Sequence, residues 1–321
     1  METLTHLFLP VSIWFQQLGD WVTPIMKGVT FLGNVEFYLL IMPLLYWCLD
    51  YSLGIRIGIL LLISGGLNSI LKFVFRSPHP FWVSTQVKKL TEASGFGFPS
   101  GHAQSAASNW GLLAVTIKKA WVTTLALIVI LLIGLSRIFL GVHFLHDVLA
   151  GWLAGGLLLW IFIRLEPRVI SWFKQNSLGM RLIVLVLVTA SFILPAIFIV
   201  PPLKSQPLPL DFIDIGGNPF SLDELLTSTG AFFGLGLGII FLDKKGTFNT
   251  NGSVWKLILR YIVGIIGVLL LYAGLGSVFP SGTNLTAYVL RFIRYSLIGL
   301  WISFAAPVVF SWLKLTEFNK T

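Results

Sequence analysis

Long apolar runs, separated by short polar segments, repeat along this 321-residue chain. An α-helix needs about 20 apolar residues to cross the hydrocarbon core of a bilayer. The pattern therefore predicts an all-α fold, a polytopic membrane helical bundle. The predicted spans are residues 35–48, 53–75, 102–117, 121–139, 148–163, 182–201, 225–242, 256–278 and 287–313.

The beginning of the chain has a mixed pattern. Residues 7–15 are apolar, but Gln16, Gln17 and Asp20 interrupt the run. An amphipathic helix that lies at the membrane interface or packs on the bundle fits this pattern better than a full span. The predicted division is therefore an N-terminal helical segment, a core and, after a basic linker at 164–181, a C-terminal region of about four additional spans. Their bounds are 1–30, 31–165 and 182–321.

Composition narrows the class of protein. Hydrophobic residues make up 56% of the chain and charged residues 11%, and the mean hydropathy is +0.87. The net charge of +9 does not indicate nucleic-acid binding, because the basic residues lie between or beside apolar runs. Anionic lipid head groups and membrane topology explain that distribution. Cys48 is the only cysteine, so no intrachain disulfide forms, and no ligand set for a metal stands out.

Residues suited to phosphate chemistry occur in three blocks. The last is Ser136-Arg137-x5-His143-x3-Asp147, the second is Pro99-Ser100-Gly101-His102, and the first is Lys72-x6-His79-Pro80. Arginine supplies a planar cation for phosphate oxygens, and histidine can act as a nucleophile or a base. In a helix, Asp147 would lie one turn beyond His143, where its carboxylate can accept the proton on one imidazole nitrogen.

Together the blocks resemble the type 2 phosphatidic acid phosphatase superfamily, which includes integral-membrane lipid phosphate phosphatases and the vanadium haloperoxidases. The family pattern is K-x6-R-P, then P-S-G-H, then S-R-x5-H-x3-D. The second and third blocks match this pattern at every defined position. The first block departs at one position, since His79 stands where the family has arginine. The resemblance implies a phosphatase-like helical core, with residues 182–321 as an addition of unknown role.

The resemblance also implies roles for single residues. His143 would be the nucleophile that forms a phosphohistidine, Asp147 would orient it, and His102 would be the general acid. The substrate phosphate would be bound by the residues Lys72, Ser100, Gly101 and Arg137, with His79 or Arg76 in place of the family arginine; we favour Arg76 sharing that role. No metal or other cofactor is required. His146 is assigned no role, because a direct neighbour does not easily face the carboxylate of Asp147.

The distribution of charge predicts an orientation. The basic loop residues fall on one side, which the excess of Lys and Arg marks as cytoplasmic; they are Arg56, Lys118, Lys119, Arg164, Arg168, Lys174, Arg181, Lys244, Lys245, Lys314 and Lys320. The opposite loops carry Asp211, Asp214, Asp223 and Glu224. All three blocks fall on this opposite side. The prediction is a multi-pass protein of the cytoplasmic (inner) membrane, with its active site facing outside or the periplasm.

The predicted function is hydrolysis of a phosphomonoester or diphosphate of a lipid, such as a polyprenyl diphosphate or phosphatidate, within the membrane. Phe81 and Trp82, expected at the membrane interface, support a lipid substrate. A secondary transporter is a poorer fit, because its ionisable residues would lie near the bilayer midplane. A catalytically impaired relative that binds or translocates lipid stays open, because the first block is altered. The sequence does not choose the lipid, and it leaves open whether residues 182–321 form a lipid entrance or a homodimer contact.

Overall fold

A computed structural model describes residues 2–204 and 218–319 of the chain, and these residues are mostly helical. The helices are α1 (Glu2–Gln16), α2 (Thr23–Phe31), α3 (Val35–Leu44), α4 (Tyr51–Phe75), α5 (Pro80–Val83), α6 (Gly101–Ile117), α7 (Ala120–Phe139), α8 (Leu145–Gln175), α9 (Leu178–Lys204), α10 (Asp223–Asp243), α11 (Val254–Leu269), α12 (Leu275–Val278), α13 (Leu285–Leu300) and α14 (Ala306–Trp312).

Short segments of other kinds extend or connect these helices. Three π-helical segments follow α3, α11 and α13 directly, at Leu45–Leu49, Leu270–Gly274 and Trp301–Ala305. Two two-residue strands, β1 (Thr247–Phe248) and β2 (Phe318–Asn319), pair in antiparallel fashion. The predicted all-α class is confirmed.

Seven helical segments of the described chain are long and apolar enough to cross a membrane. They are Tyr51–Val83, Ala120–Phe139, Leu145–Gln175, Leu178–Leu203, Asp223–Asp243, Val254–Val278 and Leu285–Trp312. The last four are the predicted C-terminal spans. Helical segments Asp20–Phe31 and Val35–Leu49 meet at an angle of 44° and would form an eighth span if they cross together. The protein is therefore a multi-pass membrane protein.

The prediction of a basic linker at 164–181 is wrong for most of its length. Helix α8 continues through Arg164, Arg168 and Lys174 and ends at Gln175. The loss of hydropathy marks the place where a helix leaves the bilayer, whereas Arg, Lys and Glu are themselves good helix formers. Helix α8 therefore extends beyond its apolar part, and the fall in hydropathy does not mark its end.

The chain forms two compact units whose segments alternate along the sequence. Unit 1 contains Met1–Tyr38, Leu67–Leu165 and Pro195–Ser221. Unit 2 contains Leu39–Gly66, Glu166–Leu194 and Leu222–Thr321. The expected core at 31–165 thus contributes residues to both units. Of the predicted outer and inner loop residues, Asp211, Asp214 and Lys320 lie outside the described residues.

Helix α1 packs inside unit 1. Val11 and Phe15 lie against a buried cluster of Ala103, Ile138 and Val148, which come from α6, α7 and α8. The sequence allowed this segment to lie at the membrane interface or to pack on the bundle, and in the structure it packs on the bundle. At the end of α1, the amide of Gln16 donates to the carbonyls of Lys88 and Phe139 and accepts from the N–H of Lys88. It thereby ties the loop before α6 to the end of α7.

Helices α6 and α8 approach each other closely through two glycines of α8. A Cβ at Gly151 would lie 2.6 Å from the carbonyl oxygen of Ser100 and 2.9 Å from Ala103 Cβ. A Cβ at Gly155 would meet the carbonyl oxygen of Gln104 and would lie 2.9 Å from Ala107 Cβ. Small residues at such positions let membrane helices pack backbone to backbone. The start of α6 is therefore held against the start of α8.

Unit 2 is held by a similar contact and by a buried arginine. Glycines of α10 at Gly230, Gly234 and Gly238 lie against the region from Phe292 to Ser303. Arg260 of α11 is 1% exposed and donates to backbone carbonyl oxygens, which are those of Trp47, Thr250, Asn251 and Leu315. These bonds fix the loop at 250–251 and the segment around Leu315 to α11.

The α6–α8 contact gives a matched pair of substitutions. Gly155→Ala should lower the unfolding free energy by about 1–3 kcal/mol, because the added methyl forces two packed backbones apart. Gly156→Ala is the control, since a Cβ there meets nothing within 4 Å. Thermal unfolding of the two purified variants in detergent measures the difference. Equal melting temperatures for both variants would contradict the close contact.

Candidate active site

The first block begins in the last turn of α4. Lys72 is 8% exposed, and its Nζ donates to the carbonyl oxygen of Ser94 at 3.0 Å. Asn68, one turn earlier on the same face, donates to the carbonyl oxygen of Pro99 at 3.1 Å and to Oε1 of Gln104 at 2.9 Å. Helix α4 therefore holds the loop before α6 at two points, and a buried cation lies at one of them.

The second block forms the beginning of α6. Ser100 is the N-cap, fully buried, and its Oγ accepts from the N–H of Ala103. Gly101 is the first helical residue, and a Cβ there would lie 2.9 Å from Asn68 Oδ1. His102 follows, with Nε2 at 2.8 Å from Oδ1 of Asn34. The N-terminus of a helix carries partial positive charge and unpaired N–H groups, which favour a phosphate.

The third block spans the end of α7 and the start of α8. Arg137, 3% exposed, donates from Nη1 to Thr30 Oγ1 at 2.9 Å. The chain then turns back on itself, because the N–H groups of Val142 and His143 both donate to the carbonyl oxygen of Arg137, at 3.2 and 3.3 Å. Arg137 and His143 therefore belong to one compact turn.

Asp147 connects this turn to the second block. Its Oδ2 lies 3.4 Å from His143 Nδ1 and accepts from the N–H of Phe144 at 2.8 Å. Its carbonyl oxygen accepts from the N–H of Ser100 at 3.0 Å. The carboxylate is fully buried. The predicted spacing of His143 and Asp147 thus places their side chains together, one helical turn apart.

His143 lies in a buried and electropositive environment. Burial lowers the pKa of His143 well below its usual range, and His79, Arg137, Lys72 and His102 act in the same direction, in that order. The imidazole is therefore neutral near pH 7. With a proton on Nδ1, which faces Asp147, Nε2 presents its lone pair as a nucleophile would. The interacting groups come from all three blocks, so the structure brings the blocks together.

The expectation that His146 cannot face Asp147 is wrong. His146 Nε2 lies 3.2 Å from Asp147 Oδ1, although neither atom has a hydrogen-bond partner among the described residues. Asp147 bends back to accept from the N–H of Phe144, and this turns its second oxygen towards His146. The His146 ring also packs against Phe144 and Phe98, with centroids 5.3 and 5.9 Å away. Its lack of a catalytic role stays a prediction.

His79 is held by backbone groups on both sides of its ring. Nδ1 contacts the carbonyl oxygen of Val142, and Nε2 lies 3.2 Å from that of Gly95. The ring is 1% exposed, and its centroid lies 5.4 Å from that of His143. Because both nitrogens meet carbonyl oxygens, this arrangement suits positioning of the His143 loop better than direct contact with a phosphate.

Phe81 and Trp82 are not interfacial aromatics, and that expectation is wrong. Their exposed fractions are 9% and 2%. Phe81 stacks on His79 with centroids 5.4 Å apart, and Trp82 meets the same ring edge-on at 5.0 Å. The two rings follow His79 directly in α5, so they fold around that histidine. They therefore carry no argument for a lipid substrate.

Arg76 lies just beyond the end of α4. Its backbone has a left-handed φ of 50°, and its N–H donates to the carbonyl oxygen of Lys72 at 2.9 Å. The side chain is half-buried. Its share in phosphate binding stays a prediction.

The predicted site residues did not include Thr30 and Asn34, which bind Arg137 and His102. They lie at the end of α2 and in the break before α3. The available signal was weak: two polar residues, four positions apart, in an otherwise apolar stretch. Neither residue belongs to a recognisable spacing of chemical groups.

Comparison with known families matches both halves of the chain. A sequence model of the PAP2 superfamily matches residues 53–171, which contain all three blocks. A second model, the transmembrane extension of PAP2 superfamily phosphatases, matches residues 226–318, from α10 to β2.

Individual relatives are similar over different lengths. Phosphatidylglycerophosphatase B of Bacillus subtilis (strain 168) is 29% identical over 168 aligned positions, which cover 49% of this chain and 80% of the relative. Glucose-6-phosphatase 3 of Homo sapiens is 28% identical over 337 positions, which cover 92% of each chain. The crystal structure of a transmembrane PAP2-type phosphatidylglycerolphosphate phosphatase from Bacillus subtilis covers 53% of this chain and 89% of its own, with 24% identity and a TM-score of 0.44.

The placement of His79 and Arg76 leads to opposite expectations for the two side chains. His79→Ala should cost about 1.5–3 kcal/mol of transition-state stabilisation, as measured by kcat/KM and mainly through kcat. The reason is that the substitution removes the ring that contacts the carbonyl oxygen of Val142, directly before His143. Arg76→Ala should instead raise KM and weaken inhibition by orthophosphate, as expected for a phosphate ligand. Steady-state kinetics with both single variants measures the split. Wild-type kcat in His79→Ala would contradict the positioning role.

Proposed function

Because the chain belongs to the type 2 phosphatidic acid phosphatase (PAP2) superfamily, we propose that it hydrolyses a phosphomonoester or diphosphate of a lipid. The similar proteins are phosphatases, which supports a phosphoric ester hydrolase. One relative is named for a lipid phosphate and the other for a sugar phosphate. We favour the lipid, because Lys72 and Arg137 lie in the last turns of apolar helices, and the ends of membrane-spanning helices adjoin the head-group region.

The observation that carries the proposal is the neutral His143 among cationic groups. Burial together with His79, Arg137 and Lys72 lowers the pKa of His143, and the carboxylate of Asp147 lies 3.4 Å from its Nδ1. A neutral imidazole cannot serve as a structural positive charge, but its unprotonated nitrogen can act as a nucleophile. The positive charges that add to the effect of burial on His143 can also neutralise the oxygens of a phosphoryl group in the transition state.

The proposed reaction has two displacement steps. In the first, the lone pair of His143 Nε2 attacks phosphorus, the bond from phosphorus to the leaving-group oxygen breaks, and a proton from His102 goes to that oxygen. Since His102 Nε2 faces the acceptor Oδ1 of Asn34, its Nδ1 is the nitrogen available for this transfer. Nδ1 carries the required proton only when His102 is an imidazolium, a form that the negative charge of a bound phosphate favours. In the second step, water gives a proton to His102 and attacks phosphorus, and the phosphorus–nitrogen bond breaks to release phosphate.

The phosphate would be bound by groups that the chain itself provides. Lys72 and Arg137 would neutralise the non-bridging oxygens, while Ser100 and Gly101 would contribute the first N–H groups of α6. Arg76 would share this role. No metal is needed for this scheme, and metal independence is part of the proposal.

The proposed location of the protein is based on the distribution of charged residues among its loops. We place the protein in the cytoplasmic membrane with the site at the outer face, on the basis of the excess of Lys and Arg in the opposite loops. A catalytically impaired protein that binds or translocates lipid is the alternative, because His79 replaces the family arginine. Release of phosphate by the purified protein decides between the two.

The proposal predicts a defined pattern of lost activity. His143→Ala and His102→Ala should each reduce phosphate release from a lipid phosphate in mixed micelles to background, since one lacks the nucleophile and the other the proton donor. Vanadate, which mimics five-coordinate phosphorus, should inhibit the wild type, and EDTA should not. The measurement is release of inorganic phosphate.

Two controls complete the experiment. His6→Ala changes a histidine outside the three blocks and should retain activity. Sealed right-side-out vesicles should hydrolyse a short-chain substrate added outside without detergent. Full activity in His143→Ala would refute the mechanism, and activity that appears only after the vesicles are opened would reverse the proposed orientation.

A further inference from the structure

The break between α2 and α3, at residues 32–34, lies against the candidate active site. The helical segments on its two sides meet at 44°. Thr30, in the last turn of α2, accepts at Oγ1 from Nη1 of Arg137 at 2.9 Å. Asn34, the last residue of the break, has Oδ1 at 2.8 Å from Nε2 of His102. One short turn thus reaches both the proposed phosphate cation and the proposed general acid.

The side chain of Asn34 is not used in the way that is usual at the start of a helix. By its backbone, Asn34 is the N-cap of α3, because its carbonyl oxygen accepts from the N–H of Tyr38 at 3.4 Å. Asparagine is common at this position because its side-chain oxygen accepts an N–H of the first turn. Here that oxygen contacts His102 across 68 residues of sequence. Helix capping therefore does not explain where the side chain lies.

The contact with Asn34 determines which nitrogen of His102 holds a proton. The oxygen of an amide can only accept a hydrogen bond, so Nε2 carries the proton in this contact. A neutral imidazole has one N–H, and the lone pair is therefore on Nδ1. No described residue is hydrogen-bonded to Nδ1. The ring thus has a fixed edge at Nε2 and a free edge at Nδ1, which is the nitrogen that acts in the proposed reaction.

The backbone of Gly33 packs on the same edge of the ring. A Cβ at Gly33 would lie 3.3 Å from Cδ2 of His102, the carbon bonded to Nε2, and 3.2 Å from Cγ2 of Ile133. Both distances are shorter than ordinary van der Waals contact, so an added methyl would have to displace the His102 ring or Ile133. The break therefore holds the ring by a hydrogen bond and by close packing.

We propose that Asn34 is a positioning residue for the general acid. It keeps a proton on Nε2 of His102, so that the ring gives and takes protons only through Nδ1. In the first step, Nδ1 of the imidazolium gives its proton to the leaving oxygen as the bond from that oxygen to phosphorus breaks. In the second step, Nδ1 takes a proton from the attacking water, and the imidazolium is restored. The inference rests on the proposed function and adds to it the means by which its acid is prepared.

The first test compares two kinds of leaving group. The alkoxide of a lipid must be protonated as it leaves, whereas p-nitrophenolate leaves readily without a proton. Asn34→Leu should therefore lower kcat/KM at least about tenfold for dioctanoyl phosphatidate and for farnesyl monophosphate, as expected for the loss of a hydrogen bond to a charged group. For p-nitrophenyl phosphate the loss should be much smaller. Because kcat/KM covers only the steps up to release of the first product, the comparison reports the first displacement.

The second test uses the dependence of kcat/KM on pH. Asn34→Asp replaces the amide by a carboxylate of the same shape, and its negative charge favours the imidazolium form of His102. The form that has a proton on Nδ1 then persists to higher pH, so the alkaline limb for phosphatidate should move up by about one unit. Asn34→Leu should move it down. Asn176→Asp, the same exchange just beyond the far end of α8, is the control and should leave the limb in place.

Neighbouring residues provide matched comparisons. Thr30→Val removes an acceptor of Arg137 and should lower kcat/KM alike for lipid phosphates and p-nitrophenyl phosphate, because Arg137 would bind the phosphoryl group whatever its leaving group. Gly33→Ala should repeat the selective loss of Asn34→Leu, since the methyl displaces the ring. Gly28→Ala should change neither value, because a Cβ there meets nothing within 4 Å. Thermal unfolding of each purified variant establishes that it is folded.

The outcomes separate this inference from the proposed function. If lipid phosphate hydrolysis depends on His143, but Asn34→Leu affects both kinds of leaving group equally or Asn34→Asp leaves the alkaline limb in place, the inference is refuted and the phosphatase stands. If Asn34→Leu does not fold, Asn34→Asp and Gly33→Ala decide by the same criteria. If the wild type hydrolyses neither lipid phosphate, both are refuted.

Discussion

The close approach of α6 and α8 is the constraint on which the candidate site depends. The second block begins α6 and the third block ends in the first turn of α8, so the two can share one phosphate only if these helix starts nearly touch. Gly151 and Gly155 allow this, and the N–H of Ser100 then donates to the carbonyl oxygen of Asp147 at 3.0 Å. In lipid, where small residues rather than the hydrophobic effect drive helix contact, such glycines decide the geometry.

A second constraint is electrostatic. Lys72 and Arg137 are buried, and their described contacts include the neutral acceptors Ser94 O and Thr30 Oγ1. Burial of the His143 ring lowers its pKa most, and the positive charge nearby acts in the same direction, so the imidazole stays neutral. The same field favours a phosphate dianion. The cations at the ends of apolar helices would thus favour binding of the substrate and also contribute to keeping the nucleophile neutral.

The sequence predicted the parts of the site that are set by short spacings. His143 and Asp147 are four residues apart, and a helical turn was enough to place their side chains together. The C-terminal spans followed from hydropathy. Two wrong predictions concern side-chain direction. The carboxylate of Asp147 accepts from the N–H of Phe144 and so comes close to His146. The ring of Trp82 packs inward against His79 and does not face the membrane interface. The spacing of hydrophobic residues along the sequence predicts neither of these directions.

Contacts between distant segments were beyond the sequence for a related reason. Asn34 meets His102 across 68 residues, and Gln16 meets Phe139 across 123. Such pairs depend on the completed packing of α1 and α2 against the core, and single polar residues in apolar stretches have many structural explanations. The end of α8 was also mispredicted from the sequence. The helix continues to Gln175 because its basic and acidic residues are good helix formers, although the hydropathy falls after about residue 163.

The central claim is that His143 attacks phosphorus and carries the phosphoryl group between the two steps. Rapid acid-free quenching of the wild type during turnover of a ³²P-labelled lipid phosphate tests this directly. The account predicts label on the protein that is stable in alkali and labile in acid, located by mass spectrometry on the peptide that contains His143, and absent from His143→Ala. Turnover without any protein-bound label at short times, or label on another residue, would contradict it.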